Sequence, residues 1–237
     1  MKIAIMQPYL FPYIGYFQLI NYVDNFVFYD DVNFINRGFI NRNKILVNKT
    51  PFLFTLPLSK SSQFLKIKDI LLDNERKEKW KVKFLKTIFQ SYKKAPFFEP
   101  VYQLIESIIE YESPFLNKYT GNSLIKVSEY LDIKTNFEYS SEEYNESINL
   151  DRADRLIYIS KKNQSTDYIN SIGGEKIYSK EYFLNNQINL HFLDSKKIIY
   201  KQFTSEDDFV ENLSIIDVLM FNSKKEVASL LNRFALR

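Results

Sequence analysis

The first 29 residues constrain the fold more than any other stretch. The apolar run Ile3-Ala4-Ile5, within Lys2 to Gln7, has the length and β-branched content of a buried strand. It passes directly into MQPYLFPYIGYFQLI (Met6 to Ile20), where Gln7, two prolines, Gly15 and five aromatic residues interrupt any regular element. Pro8 and Pro12 fix φ and remove backbone donors, so the chain leaves the strand as a shaped loop. From Tyr16 to Val23 the placing of Phe17, Ile20 and Val23 predicts a short helix, and Asn25 to Tyr29 reads as a second buried strand. Strand, loop, helix and strand in this order form a βαβ unit with parallel strands. The fold class expected is therefore α/β, with an N-terminal Rossmann-like, mainly parallel sheet. Ligands of such sheets collect beyond the carboxyl ends of the strands. The aromatic loop and the segment YDDVNFINRGFINRN would both lie there.

Downstream, Lys44 to Lys49 and Pro51 to Leu58 form a β-hairpin pattern turning through Asn48-Lys49-Thr50. The period then changes to that of a helix. Trp80, Phe84, Ile88 and Tyr92 make an i, i+4 stripe, with Lys77, Lys79, Lys81, Lys83 and Lys86 read mostly as a solvated face. Helices follow over Glu99 to Glu112 and Leu116 to Leu131, separated by Pro114. These three helices read as an inserted or appended helical subdomain, dividing the chain at 1–75 (α/β ligand-binding region), 76–135 (helices) and 136–237 (α/β completion and C-terminal helices), unless all form one continuous domain. In the last part Phe137 to Tyr139 and Ile188 to Leu193 read as strands, Asp151 to Lys162 as a helix, and Ile215 to Leu219 and Val227 to Phe234 as closing helices.

Composition removes whole classes of chemistry. The chain has no cysteine and one histidine, so disulfides, thiolate metal sites, a Cys nucleophile and multi-histidine metal motifs are excluded. Thirty-two basic and 29 acidic side chains give a net charge of only +3, which makes a nucleic-acid partner unexpected. No run of about 18 apolar residues is present to span a bilayer. With no signal-peptide pattern, the expected location is cytoplasmic.

Three stretches can carry chemistry. Asp30 and Asp31 follow the second strand, where a carboxylate can serve as general base or hold Mg²⁺. Successive side chains of an extended chain face opposite ways, so only one can enter a given pocket. Asn33, Asn36, Arg37, Asn41, Arg42 and Asn43 come next, interleaved with Phe34 and Phe39. Arginine forks grip phosphate and asparagine amides read sugar hydroxyls, so this run is the better ligand-binding candidate. In the opening loop, Gln7, Tyr13 and Gly15 are candidate binding residues, with Gly15 allowing close backbone approach. Tyr168 opens YINSIGGEKIY, which reads as a strand-end loop in which Gly173-Gly174 lets the backbone approach a ligand. His191 reads as a structural histidine, since no G-x-S-x-G elbow supplies it a serine.

MQPYLFPYIGYFQLI, YDDVNFINRGFINRN, YINSIGGEKIY and LSIIDVLMF, in this order over nearly the whole chain, resemble the WbqC-like family of bacterial proteins. Members of that family are generally encoded among genes for O-antigen and other surface polysaccharides. The resemblance implies a cytoplasmic transferase that attaches an aminoacyl or acyl group to a nucleotide-linked amino sugar. In that reading Asp30 or Asp31 is the base, Arg37, Arg42 and the Gly15 region bind the diphosphate, and Gln7, Asn33 and Asn41 orient the sugar. It names neither the acyl donor nor a cofactor. The opening βαβ pattern is also similar to the start of the pantothenate synthetase and nucleotidyltransferase folds. There Tyr13-Ile14-Gly15-Tyr16 stands where a His-x-Gly-His helix start handles ATP phosphates, and both histidines are absent. Two other readings remain open: a non-catalytic partner binding a sugar nucleotide or an enzyme of the same pathway, and an RNA-binding protein.

Overall fold

A computed structural model of the protein describes residues 1–204 and 208–237. Its centre is a six-stranded sheet. β1 (Lys2–Met6) pairs in parallel with β2 (Asn25–Phe28), joined by helix α1 (Ile14–Tyr22). Between β2 and the next strand of the main sheet come the hairpin β3 (Arg42–Val47) and β4 (Thr50–Thr55), and the small pair β5 (Leu58–Lys60) and β6 (Leu71–Leu72). Helices α2 (Asn74–Tyr92), α3 (Phe98–Ile109) and α4 (Leu116–Tyr130) follow. The chain returns to the sheet with β7 (Asn136–Tyr139), turns through α5 (Ser140–Glu143), and crosses by α6 (Arg152–Lys162) to β8 (Asp167–Ser171). Helix α7 (Lys180–Asn185) leads to β9 (Asn189–Ser195), and α8 (Ile215–Phe221) and α9 (Lys224–Leu230) precede β10 (Phe234–Leu236).

The strand order is β7-β2-β1-β8-β9-β10, all parallel except β10. Counting only strands of this sheet, that is 3-2-1-4-5-6, the Rossmann order. The chain builds outward from β1 to β7, then reverses and builds the other way from β8, so the switch point lies between β1 and β8.

Both faces of the sheet are covered, so its strands are near-continuously apolar. Ala4, Phe26, Phe28 and Ile169 face the larger core with α1, the three-helix insertion and α8. Ile3, Ile5, Val27, Tyr168 and Phe192 face a second core against α6 and Phe183 of α7. Each fully buried Phe or Ile contributes about 1.5–3 kcal/mol relative to exposure. The Pro-rich loop is held from three sides. Leu10 N–H donates to the Ile40 carbonyl, the Phe11 carbonyl accepts from Asn43 Nδ2 and Ser214 Oγ, and Ile215 N–H donates to the Pro12 carbonyl. Phe11 adopts a left-handed φ of 43° there.

Two expectations need correction. Lys77 and Lys81 are buried on the same face of α2 as Phe84 and Ile88 rather than on a solvated one. Their stems lie against the core, Lys77 above the Tyr119 ring, while both ammonium groups reach the exposed Glu112. At the C-terminus, Val227 to Phe234 is not one helix. It ends at Leu230, and Phe234–Leu236 adds an antiparallel edge strand to β9.

A buried polar knot ties the insertion to the C-terminal part. Asp217, fully buried in α8, accepts hydrogen bonds from Tyr92 (2.8 Å), Tyr200 (2.6 Å) and Gln202 (2.8 Å), and Leu46 N–H donates to the Tyr92 hydroxyl at 2.8 Å. Tyr92→Phe leaves the Leu46 N–H and one Asp217 oxygen short of a partner, so it is expected to destabilise by about 1–3 kcal/mol in urea unfolding. Burial raises the Asp217 carboxyl above its ordinary value of 3.8, although its donors oppose the shift. Its contribution to stability is therefore greatest below that value and is lost as pH rises through the raised native one.

Candidate functional site

A crevice of about 650 Å³ opens at the carboxyl ends of β1, β2 and β8, on the switch point. β1 and β2 deliver the residues that pass beyond their paired ladder, whereas β8 delivers residues still paired with β9. β1 contributes Gln7, β2 contributes Tyr29 and Asp31, and β8 contributes Tyr168, Asn170 and Ser171. Ile148, Leu150, Arg152 and Arg155, before and within α6, form the opposite wall.

Asp30 and Asp31 part company, as the alternation of an extended chain requires. Asp30 is fully buried and does not line the crevice. Its oxygens accept from Asn117 Nδ2 (2.6 Å), Ser141 Oγ (2.8 Å) and Ser141 N–H (3.0 Å), which pins α4 and α5 to the end of β2. Asp31, 1% exposed, is the one carboxylate on the crevice lining among the described residues. One oxygen accepts from Ser140 Oγ at 2.6 Å and the other pairs with Arg155 Nη2 at 2.5 Å. Arg155 also donates from Nε to Ser147 Oγ at 3.1 Å and lies 4.9 Å from the Tyr29 ring centre.

With that pair neutralised, the crevice retains two cations, Lys66 and Arg152, which form no ion pair among the described residues. Tyr29, Tyr168 and Tyr178 share the lining with them. Burial pushes Tyr168 well above the usual tyrosine range, and Tyr178 and Tyr29 add to the shift. Tyr29 and Tyr178 are also raised by burial, opposed by Arg155 and Arg152 respectively. All three keep their protons at neutral pH and can donate hydrogen bonds. A cationic cleft lined with hydroxyl and amide groups suits an anionic, polyhydroxylated ligand.

The structure divides the other candidates. Asn33 and Ile35 face the crevice, whereas Phe34 and Asn36 face a second pocket of about 310 Å³ that contains Arg37, Asn41 and Arg42. Residues 32–34 form the wall between the two, held by Phe34 N–H to the Leu65 carbonyl and Ile67 N–H to the Val32 carbonyl. The Gly15 region lies at neither pocket. A Cβ on Gly15 would come within 2.3 Å of the Tyr13 ring, so this glycine makes room for that ring, which borders two other surface depressions. His191 lies 3.1 Å from Asp167, outside the crevice.

A model described as the WbqC-like protein family matches residues 7–229. The chain belongs to the WbqC-like family. The match takes in the crevice from Gln7 to Tyr178 and the whole second pocket. The chain is also similar to "Uncharacterized protein Rv1507c" of Mycobacterium tuberculosis (strain ATCC 25618 / H37Rv), at 26% identity over 224 residues, or 93% of each chain. No solved structure matches it significantly. Among the described residues no helix is long and apolar enough to cross a membrane.

Within this WbqC-like fold, sequence reasoning missed Lys66, Arg152, Arg155, Asn170 and Tyr178. Arg155 did leave a signal. It stands four residues before Ile159 and next to Leu156, on the apolar stripe of α6, where a lone cation needs a buried partner. The Gly173-Gly174 turn supplies the crevice with backbone, and Gly174 is also needed for packing: a Cβ there would lie 2.7 Å from Asn170 Nδ2. Gly174→Ala is expected to displace the Asn170 amide and destabilise by about 1–3 kcal/mol, read from the melting temperature.

Proposed function

We propose that this WbqC-like protein is a transferase of bacterial surface-polysaccharide (O-antigen) biosynthesis, acting in the cytoplasm to form an amide on a nucleotide-linked amino sugar bound in the crevice. The observation that carries the reading is the pair of cations, Lys66 and Arg152, that form no ion pair among the described residues, at the switch point of a Rossmann-order sheet. In this reading they hold the diphosphate, while Gln7, Asn33 and Asn170 meet sugar hydroxyls. The amine nitrogen bonds to the carbonyl carbon of the acyl or aminoacyl donor, and the carbonyl electron pair moves to oxygen. Tyr168 and Tyr178 donate hydrogen bonds to that oxyanion. Asp31 accepts the amine proton, and collapse of the intermediate expels the donor's leaving group.

A second reading, a sugar-nucleotide-binding partner without catalysis, is favoured by one observation: Asp31 already has a partner on each oxygen. Turnover separates the two. Purified protein is incubated with a panel of nucleotide-linked amino sugars and acyl-CoA, aminoacyl-tRNA or carboxylic acid plus ATP, and the sugar is weighed by mass spectrometry. An amide-forming mass gain that disappears with Asp31→Asn is the expected result. Tight binding of a nucleotide sugar with no mass gain from any donor class overturns the transferase reading in favour of the partner.

A further inference from the structure

We infer that the pocket of Arg37 and Arg42 is a second anion site, independent of the crevice, that takes the phosphate or diphosphate of another ligand. The inference stands on this pocket's own residues and does not depend on what fills the crevice. Residues 32–34 separate the two spaces, with Asn33 presented to one and Phe34 to the other. A ligand in the crevice therefore does not meet Arg37 or Arg42 through the wall.

The pocket is built for negative charge. Its lining includes two arginines, Asn36, Thr55 and Ser61, and, among the described residues, no acidic one. Neither arginine forms an ion pair among the described residues. Arg42 is half-buried and aimed by its own turn: Nε donates to the Gly38 carbonyl at 2.8 Å, which leaves both terminal nitrogens to form a fork toward the pocket. Arg37 sits at φ 59°, in the left-handed region, and turns the chain at the mouth of the pocket. Gly38 N–H closes that turn onto the Ile35 carbonyl at 3.0 Å. Asn41, whose amide donates to the Leu56 carbonyl at 2.8 Å, ties the base of the pocket to the end of β4. Two arginines lining one pocket with hydroxyl and amide groups, and no carboxylate among the described residues, suit the oxygens of a phosphate. Each of two substrates, or one substrate and one effector, would then have its own phosphate grip.

The test is calorimetric titration of the intact protein with inorganic pyrophosphate. Two sites are expected, of which only the one in this pocket bears on the inference. Arg42→Ala and Arg37→Ala should each weaken one of them at least about tenfold and leave the other in place, while Lys66→Ala has the opposite pattern. Arg42→Lys should restore only part of the affinity, because a point charge lacks the fork. Melting curves of the variants guard against misfolding. A single pyrophosphate site lost in Lys66→Ala and unaffected by Arg37→Ala or Arg42→Ala overturns the inference, as does the absence of any binding that depends on these arginines. One site weakened by variants in both pockets also overturns it, since that pattern means one ligand reaching around the wall. The crevice reading fails separately, by loss of nucleotide-sugar binding or turnover there.

Discussion

Arg155→Ala is expected to cost about 3–5 kcal/mol of stability, the penalty for leaving a buried carboxylate without its counter-charge. Asp31 and Arg155 are both almost wholly buried, with side chains 0% and 4% exposed, so water entering from the crevice replaces the lost counter-charge only in part. The guanidinium also bonds Ser147 and packs on the Tyr29 ring, so its removal loosens three attachments of the α6 wall at once. For a chain of this length the effect corresponds to a fall of roughly 10 °C in melting temperature. Urea unfolding and thermal melts read it directly. Replacing both partners with apolar residues of similar size, Arg155→Met with Asp31→Leu, should recover most of the loss while abolishing turnover. An Arg155→Ala protein as stable as wild type would mean that the pair is open to solvent and that the crevice floor is not rigid.

Lys66→Ala and Arg152→Ala are each expected to weaken nucleotide-sugar binding about tenfold, or about 1.4 kcal/mol, and the double variant to weaken it further, without simple additivity because both grip one diphosphate. The effect is electrostatic. Neither cation forms an ion pair among the described residues, so a diphosphate gains an attraction that no ion pair satisfies there. Lys66 is half-buried and Arg152 exposed, and neither forms an ion pair, so stability should hardly change. Affinity should fall with rising salt in the wild type and less steeply in the double variant. Titration calorimetry across ionic strengths checks both expectations. Wild-type affinity in the double variant would remove the diphosphate from the crevice.

What could be read in sequence and what could not follows a physical line. Periodicity and chain breakers are local, and they specified β1, α1 and β2, the hairpin around Asn48, and the three helices α2 to α4. β8 was harder. Asp167–Ser171 is short and ends in polar residues, because it finishes in the crevice rather than in the core. β10 was missed because three residues at an edge carry no period, and its identity comes entirely from pairing with β9. In the same way, Lys77 and Lys81 looked solvated until Glu112, 35 and 31 residues away, supplied their counter-charge.

The sequence by itself determined an α/β chain with parallel β1 and β2, a strand-end location for the Tyr29-Asp30-Asp31 segment, and membership of the WbqC-like family. Tertiary structure alone decided which residues share a pocket. It brought Lys66, Arg152 and Arg155 to Asp31 by folding α6 and the 65–68 segment over the switch point. It also put Arg37 and Arg42 behind a wall only a few residues away from Asn33. Side chains on one extended segment point to opposite sides, so neighbours in sequence can serve different sites while residues more than a hundred positions apart meet in one.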